Sequence, residues 1–414
     1  MSTATLHIEN KKVLIPQLRF SGFDEQWKVK NIGSIAELTS SKRVYLTDYV
    51  EKGIPFYRGK EITELKLGKV PNDILYITES SYFEFKEKFG VPQKDDLLIT
   101  AVGTLGNVLR IKDEAKFYFK DGNLIWFRKI TEFSPFLEMA LDVYKSEIEK
   151  TSIGSTQRAL TMVELRKLKF PFPSLPEQQK IASFLIAVDE KIQQLSRKKE
   201  LLQQYKKGVM QQLFSGKLRF KDENGKAYAD WEEKKLGEYL IKYDEKATEN
   251  KQFPVLTSSR RGLYFQKDYF NGQDVASSNT TGYNVVPRGY FTYRHMSDDT
   301  DFKFNINNLC DKGIVSTLYP VFTTKENLDD TFLVMKLNNG KEFQNYAILQ
   351  KQGGSRTYMY FKKLEKLVLR IPSLKEQQKI AAFLLSIDVK IENTNLQINQ
   401  TQSFKKGLLQ QMFV

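Results

Sequence analysis

Apolar residues between Ser174 and Phe214 return in alternating steps of four and three: Ile181, Leu185, Val188, Ile192, Leu195, Leu202, Val209 and Leu213. A period of 3.5 held over this length predicts a long helix with a coiled-coil seam rather than an ordinary surface helix. The same stripe returns as Ile380, Leu384, Ile387, Ile391, Ile398, Leu408 and Met412, with Thr394, Thr401 and Lys405 at the remaining seam positions. Polar seam residues lower stability but help to fix register. Each helix would run about 60 Å at 1.5 Å per residue. Ser174 and Ser373 follow a proline, and Glu177 and Glu376 come three residues later, the pattern of a capping box. Gly208 and Gly407 sit late in the two copies. They read either as close-approach or bend positions, or as the start of a frayed last turn.

The two stripes belong to a repeat. SLPEQQKIASFLIAVDEKI at Ser174 to Ile192 returns as SLKEQQKIAAFLLSIDVKI at Ser373 to Ile391, and YKKGVMQQLF returns as FKKGLLQQMF. Each half also opens alike: LRF at Leu18 to Phe20 with Trp27 soon after, then LRF at Leu218 to Phe220 with Trp231. One plan is written twice. Two helices in one chain can pair with each other, although dimerisation is the commoner use of such a seam. The regions between, about Val29 to Phe172 and Lys234 to Ile371, differ in sequence and read as mixed α and β. Leu97 to Ile111, Asn123 to Ile130 and Thr331 to Leu337 read as strands, and Pro135 to Lys150 as helical.

Composition narrows the function classes. Two histidines and one cysteine, Cys310, exclude a disulfide framework and a cysteine-rich zinc site. No apolar run is long enough to span a bilayer and the opening residues lack a signal-peptide core, so a soluble intracellular protein is expected. The net charge of +14 points weakly to a polyanionic partner, with a merely solubilising surface as the plain alternative. No phosphate-binding loop, dinucleotide fingerprint, zinc-protease motif or nucleophile elbow occurs. Gly53 to Glu61 has the wrong spacing for a phosphate loop and a glutamate where the magnesium-binding hydroxyl belongs. The chain reads as non-catalytic.

Binding features are better represented. Basic residues lie beside hydroxyls and aromatics in SSKRVY (Lys42, Arg43), FYRGKE (Arg58, Lys60), SSRRGLYF (Ser258, Arg260, Arg261) and YRHM (Arg294). Small residues with an arginine precede each long helix, in Gly154 to Arg158 with Gln157, and in Gly353 to Arg356. Arginine suits the O6/N7 edge of guanine, whereas lysine, serine and threonine suit phosphates. Any one of these residues alone reads as solvated surface charge; the set, spread over both variable regions, favours DNA.

The doubled SLPEQQKIA segment, the opening LRF with its tryptophan, GIPFYRGKEI (Gly53 to Ile62) and DDLLITAVGTLGN (Asp95 to Asn107, with Thr104) resemble the specificity subunits of type I restriction–modification enzymes. The resemblance implies an α+β chain with a pseudo-two-fold repeat. Two similar target recognition domains would be joined by two long helices pairing as an antiparallel coiled coil. The implied division is a flexible tail over 1–13, recognition domains over 14–172 and 216–371, and spacer helices over 173–215 and 372–414. Each domain would read one half of a split duplex sequence. The helices would dock two modification (methyltransferase) subunits, with restriction (motor–nuclease) subunits joining them in the cytoplasm. S-adenosylmethionine, ATP and Mg2+ would bind those other subunits, with no cofactor, metal or catalytic residue here. The second region lacks the GIPFYRGKEI and GTLGN patterns, so its loops are mapped less directly. The alternative is a coiled-coil scaffold or adaptor whose variable domains bind proteins.

Overall fold

The computed structural model describes residues 14–155, 158–273, 276–351 and 356–414; the tail over 1–13 and Gln157 lie outside them, as do parts of both loops before the long helices. The chain forms two units, one from residues 1–195 with 397–414 and the other from 196–396, so each long helix contributes to both. No helix of the described residues is long and apolar enough to cross a membrane.

In the first unit, strands Lys28–Asn31 and Lys169–Phe172 pair antiparallel and frame everything between them. A four-stranded sheet follows in the order Glu37–Thr39, Leu124–Arg128, Leu97–Thr100, Val108–Arg110. Its core holds Trp27, Phe136, Leu137, Ile181 and Leu185 together with Leu408, Met412 and Phe413 from the end of the chain. A second sheet orders Tyr49–Val50, Leu75–Ile77, Ile54–Tyr57 and Tyr118–Phe119.

The second unit repeats the frame with Glu232–Lys235 and Val368–Ile371. Its sheet runs Leu240–Tyr243, Val321–Thr324, Phe291–Tyr293, Phe304–Ile306. In both sheets the first strand in sequence lies beside the last, then come the second and the third. Two regions that share little sequence therefore share the topology of this sheet. In place of the other sheet stand a hairpin, Leu256–Ser259 with Gly262–Phe265, and the pairs Asn284–Pro287 with Lys312–Val315 and Met296–Ser297 with Thr357–Tyr358.

Thr331 to Leu337, expected as a strand, is helical within Asp330–Asn339. Asp329 caps it by accepting from the Phe332 N–H at 2.8 Å. Phe332, Leu333, Lys336 and Leu337 are its buried residues, a helical spacing that outweighs the β-branched Thr331 and Val334. The matching helix in the first unit, Ser134–Val143, was expected, and Lys145–Lys150 continues the helical stretch.

The long helices span Leu175–Phe214 and Leu374–Met412. Ile181, Leu185, Val188, Leu195, Ile380, Leu384, Ile387 and Ile398 are buried, and Ile192 and Ile391 half-buried. In the second unit Lys199 donates to Asn395 at 2.6 Å and Lys206 to Asp388 at 2.6 Å, so the helices run antiparallel there. In the first unit Lys405 donates to Asp189 at 2.6 Å, which is the same pair of repeat positions with the roles exchanged. Lys405, a polar residue on the seam, is thus a register pin.

The glutamates expected to complete capping boxes turn the other way. Glu177 is buried and takes a two-pronged contact from Arg19 at 2.7 and 2.8 Å, plus the Trp27 indole N–H at 3.4 Å. Glu376 is held in the same way by Arg219 at 3.1 and 2.9 Å and by Trp231 at 3.1 Å. The next residue is also buried: Gln178 accepts from the Phe133 N–H and donates to Pro173 O, both at 3.0 Å. Gln377 accepts from the Asp329 N–H at 2.8 Å and donates to Pro372 O at 2.9 Å. The repeated opening, the frame and the helix start are one clasp.

Two outcomes follow. Removing one partner of a buried ion pair leaves an uncompensated charge, so Glu177→Ala should cost about 3–5 kcal/mol in chemical denaturation. Gly208 and Gly407 are neither close approaches nor helix ends: both helices run through them, and a Cβ at either would meet nothing within 4 Å. Gly208→Ala and Gly407→Ala should therefore each raise stability by about 1 kcal/mol, read as a higher denaturation midpoint.

Candidate nucleic-acid interface

In the first unit the basic loops converge on one end of the strands. Ser41 donates to Phe119 O at 2.6 Å and the Lys42 N–H to the Tyr118 hydroxyl at 2.7 Å, which fixes the loop. The Lys42 ammonium is exposed over the Phe89 ring, and exposed Arg43 pairs with Asp121 at 2.9 Å. Phe119 is the register partner of Tyr57, so Arg58 and Lys60 follow beside this loop. A Cβ on Gly59 would come 3.6 Å from Thr100, at the strand that precedes the GTLGN turn. Gly103 and Gly106 have positive φ there, as a tight turn requires, and Thr104 is exposed at its tip. Val102 bridges to Ala159, bringing exposed Arg158 to the same edge. Lys42, Arg43, Lys60, Thr104 and Arg158 thus share an accessible edge.

Arg58 does not present its charge there freely. Its guanidinium grips Glu61, whose side chain is completely buried, and donates to Asp73 O at 3.0 Å. The Arg58 N–H also donates to Glu61 at 2.7 Å, closing the first turn of helix Gly59–Lys66. Burial pushes the Glu61 carboxyl up, but the Arg58 side-chain and backbone hydrogen bonds outweigh it and hold the group below its ordinary range. The RGKE stretch is a structural staple.

In the second unit Arg261 lies at the turn of the hairpin and Arg294 just past strand Phe291–Tyr293, both exposed. With Arg260, Tyr269 and Tyr319 they line one cleft of about 630 Å³. Ser258, expected to touch DNA, is instead buried: it donates to Thr292 O at 3.2 Å and accepts from Asn305 at 2.8 Å. Its hydroxyl is thus engaged in holding the sheet, although the residue also lines the cleft. Arg260 pairs with Asp299 at 2.8 Å and Arg356 with Asp298 at 3.0 Å. The acidic run Asp298, Asp299 and Asp301, together with Lys303, also lines the cleft. Burial lowers the pKa of the Lys303 ammonium. The SDDTD stretch directly after YRHM was the available signal.

Each half of the chain matches one known family model. The description "Type I restriction modification DNA specificity domain" matches residues 24–204 and again 228–401. The chain belongs to this family. Among relatives, a putative type I restriction enzyme specificity subunit of Haemophilus influenzae is 32% identical over 39% of this chain and 40% of its own length. Another, from Methanocaldococcus jannaschii, is 23% identical over 93% of this chain and 92% of its own. The crystal structure of a type I restriction–modification S subunit from M. genitalium shares the fold, with a TM-score of 0.56 at 15% identity, covering 97% of this chain and 99% of that one. The two matched specificity-domain stretches each contain one frame and one of the basic sets above.

Because Glu61 titrates below its ordinary value of 4.5 in the folded chain, its stabilisation is present above that pH and is lost as the pH falls through the folded value. Glu61→Gln should therefore destabilise the first unit at pH 7, with the difference from the parent shrinking in denaturation curves taken below about pH 4.5.

Proposed function

We propose that this chain reads DNA sequence for a type I restriction–modification complex, one half of a split duplex target per unit, and carries out no catalytic step itself. The observation that carries the reading is a frame repeated to the residue, with different exposed arginines and lysines hung on each copy. Shared frames need the same partners, and different edges need different base pairs. The long helices offer the surface on which two modification subunits, and through them restriction subunits, would assemble in the cytoplasm. S-adenosylmethionine, ATP and Mg2+ belong to those subunits in this reading.

The test is enrichment of bound sequences from randomised duplex DNA by the purified chain over a range of salt concentrations. The expected product is a split sequence with two fixed parts and an unspecified gap, and binding that weakens linearly in log salt, about 0.9 per phosphate contact. Salt-insensitive binding, or no enriched sequence, would contradict the reading and favour a protein-binding scaffold. Arg261→Ala should relax one position in one half only, at about 1–3 kcal/mol, if it reads a base.

A further inference from the structure

The cleft of the second unit sets carboxylates against the arginines that would face DNA. Arg260 gives Nη1–H to Asp299 Oδ2 at 2.8 Å and Nη2–H to Asp299 Oδ1. Its Nη2 also lies 3.3 Å from Ser297 Oγ, and its Nε 3.8 Å from Asp301 Oδ2. The carboxylate is itself held in place. Buried Ser297 donates to Asp299 Oδ1 at 2.9 Å, and the Asp301 N–H donates to the same oxygen at 3.2 Å. Ser297 is anchored in turn by its pairing with Thr357. On the same run Asp298 holds Arg356.

A guanidinium offers five N–H groups arranged as two edges of two parallel donors. Asp299 occupies the edge formed by Nη1 and Nη2, while Ser297 and Asp301 lie along the edge formed by Nη2 and Nε. Reading a guanine takes one whole edge. Arg260 therefore has no wholly free edge, and it can read a guanine with its Nη1–Nη2 edge only by leaving Asp299.

We infer that Asp299 tempers the affinity of the second unit for its own half-site by competing with DNA for Arg260. The inference rests on the reading that this unit binds duplex DNA. Arg260 is 52% and Asp299 57% exposed, and an ion pair between such exposed groups contributes no more than roughly fivefold to an equilibrium. A two-donor contact to guanine is worth roughly 5- to 150-fold. The exchange is thus favourable at the right base pair. A single phosphate oxygen does not replace what Arg260 gives up, and the released carboxylate repels the backbone. On a wrong sequence Arg260 therefore stays with Asp299, and the cost of the exchange falls on the matched duplex alone.

The experiment compares binding of the whole chain to its enriched duplex and to a scrambled duplex of equal length, at one salt concentration, for the parent, Asp299→Asn and Arg260→Ala. Asp299→Asn should raise the matched affinity up to roughly fivefold and leave the scrambled affinity within about twofold, raising their ratio. Arg260→Ala should weaken only the matched duplex, at one base pair. Asp298→Asn, which frees Arg356 instead, provides a second variant with the same expected direction. A lower matched affinity with unchanged scrambled affinity in Asp299→Asn would overturn the inference, since Asp299 would then be orienting Arg260 for reading. Unchanged ratios in both aspartate variants would overturn it too. Equal weakening of both duplexes by Arg260→Ala would make that residue a phosphate contact and overturn it as well. A parent chain that fails to distinguish the two duplexes would refute the functional reading itself.

Discussion

A carboxylate buried at the start of each long helix is the constraint on which the rest depends. Glu177 and Glu376 are almost fully removed from water, and a charge in that position is tolerable only with a close, well-formed partner. Arg19 and Arg219 supply a planar fork matched to it, and Trp27 and Trp231 add an indole N–H. Those partners come from the opening of each half, more than a hundred positions away in sequence, as the separation of 158 positions between Arg19 and Glu177 shows. Satisfying one glutamate therefore closes the whole unit. The adjacent glutamine performs the same service for the backbone just ahead of helices Ser134–Val143 and Asp330–Asn339.

Whatever lies between the opening and the helix is free to vary, provided that the two frame strands still meet. The shared sheet order of the two units shows the consequence: unrelated strands are threaded in the same sequence because the ends are held in the same place. The same logic separates function from stability. Arg58, Glu61 and Ser258 are committed to holding loops and sheets, whereas Lys42, Arg261 and Arg294 stand where a ligand can reach them.

The periodic and repeated parts of the chain were legible before any coordinates. Seam positions from Ile181 to Ile398 are buried or half-buried because a 3.5 period has one physical solution over such a length. The glutamates misled because a serine three residues earlier offers a local partner, and the distant arginine cannot be weighed from spacing. Thr331 to Leu337 misled because a short apolar run with β-branched residues fits either element until its cap is seen. Ser258 and Arg58 sit in basic, hydroxyl-rich strings whose composition says nothing about which side chains point inward. Asp298 to Asp301 look like surface charge in sequence, and only the fold brings them against Arg260 and Arg356.

The central claim is that a constant frame carries two separable readers. Exchanging residues 240–367 for the equivalent stretch of another family member, with both frame strands and Glu376, Arg219 and Trp231 retained, tests it most directly. The sequences enriched from randomised duplex DNA should change in one half of the split target and keep the other half intact. A change in both halves, from a chain whose unfolding remains cooperative, would contradict the account.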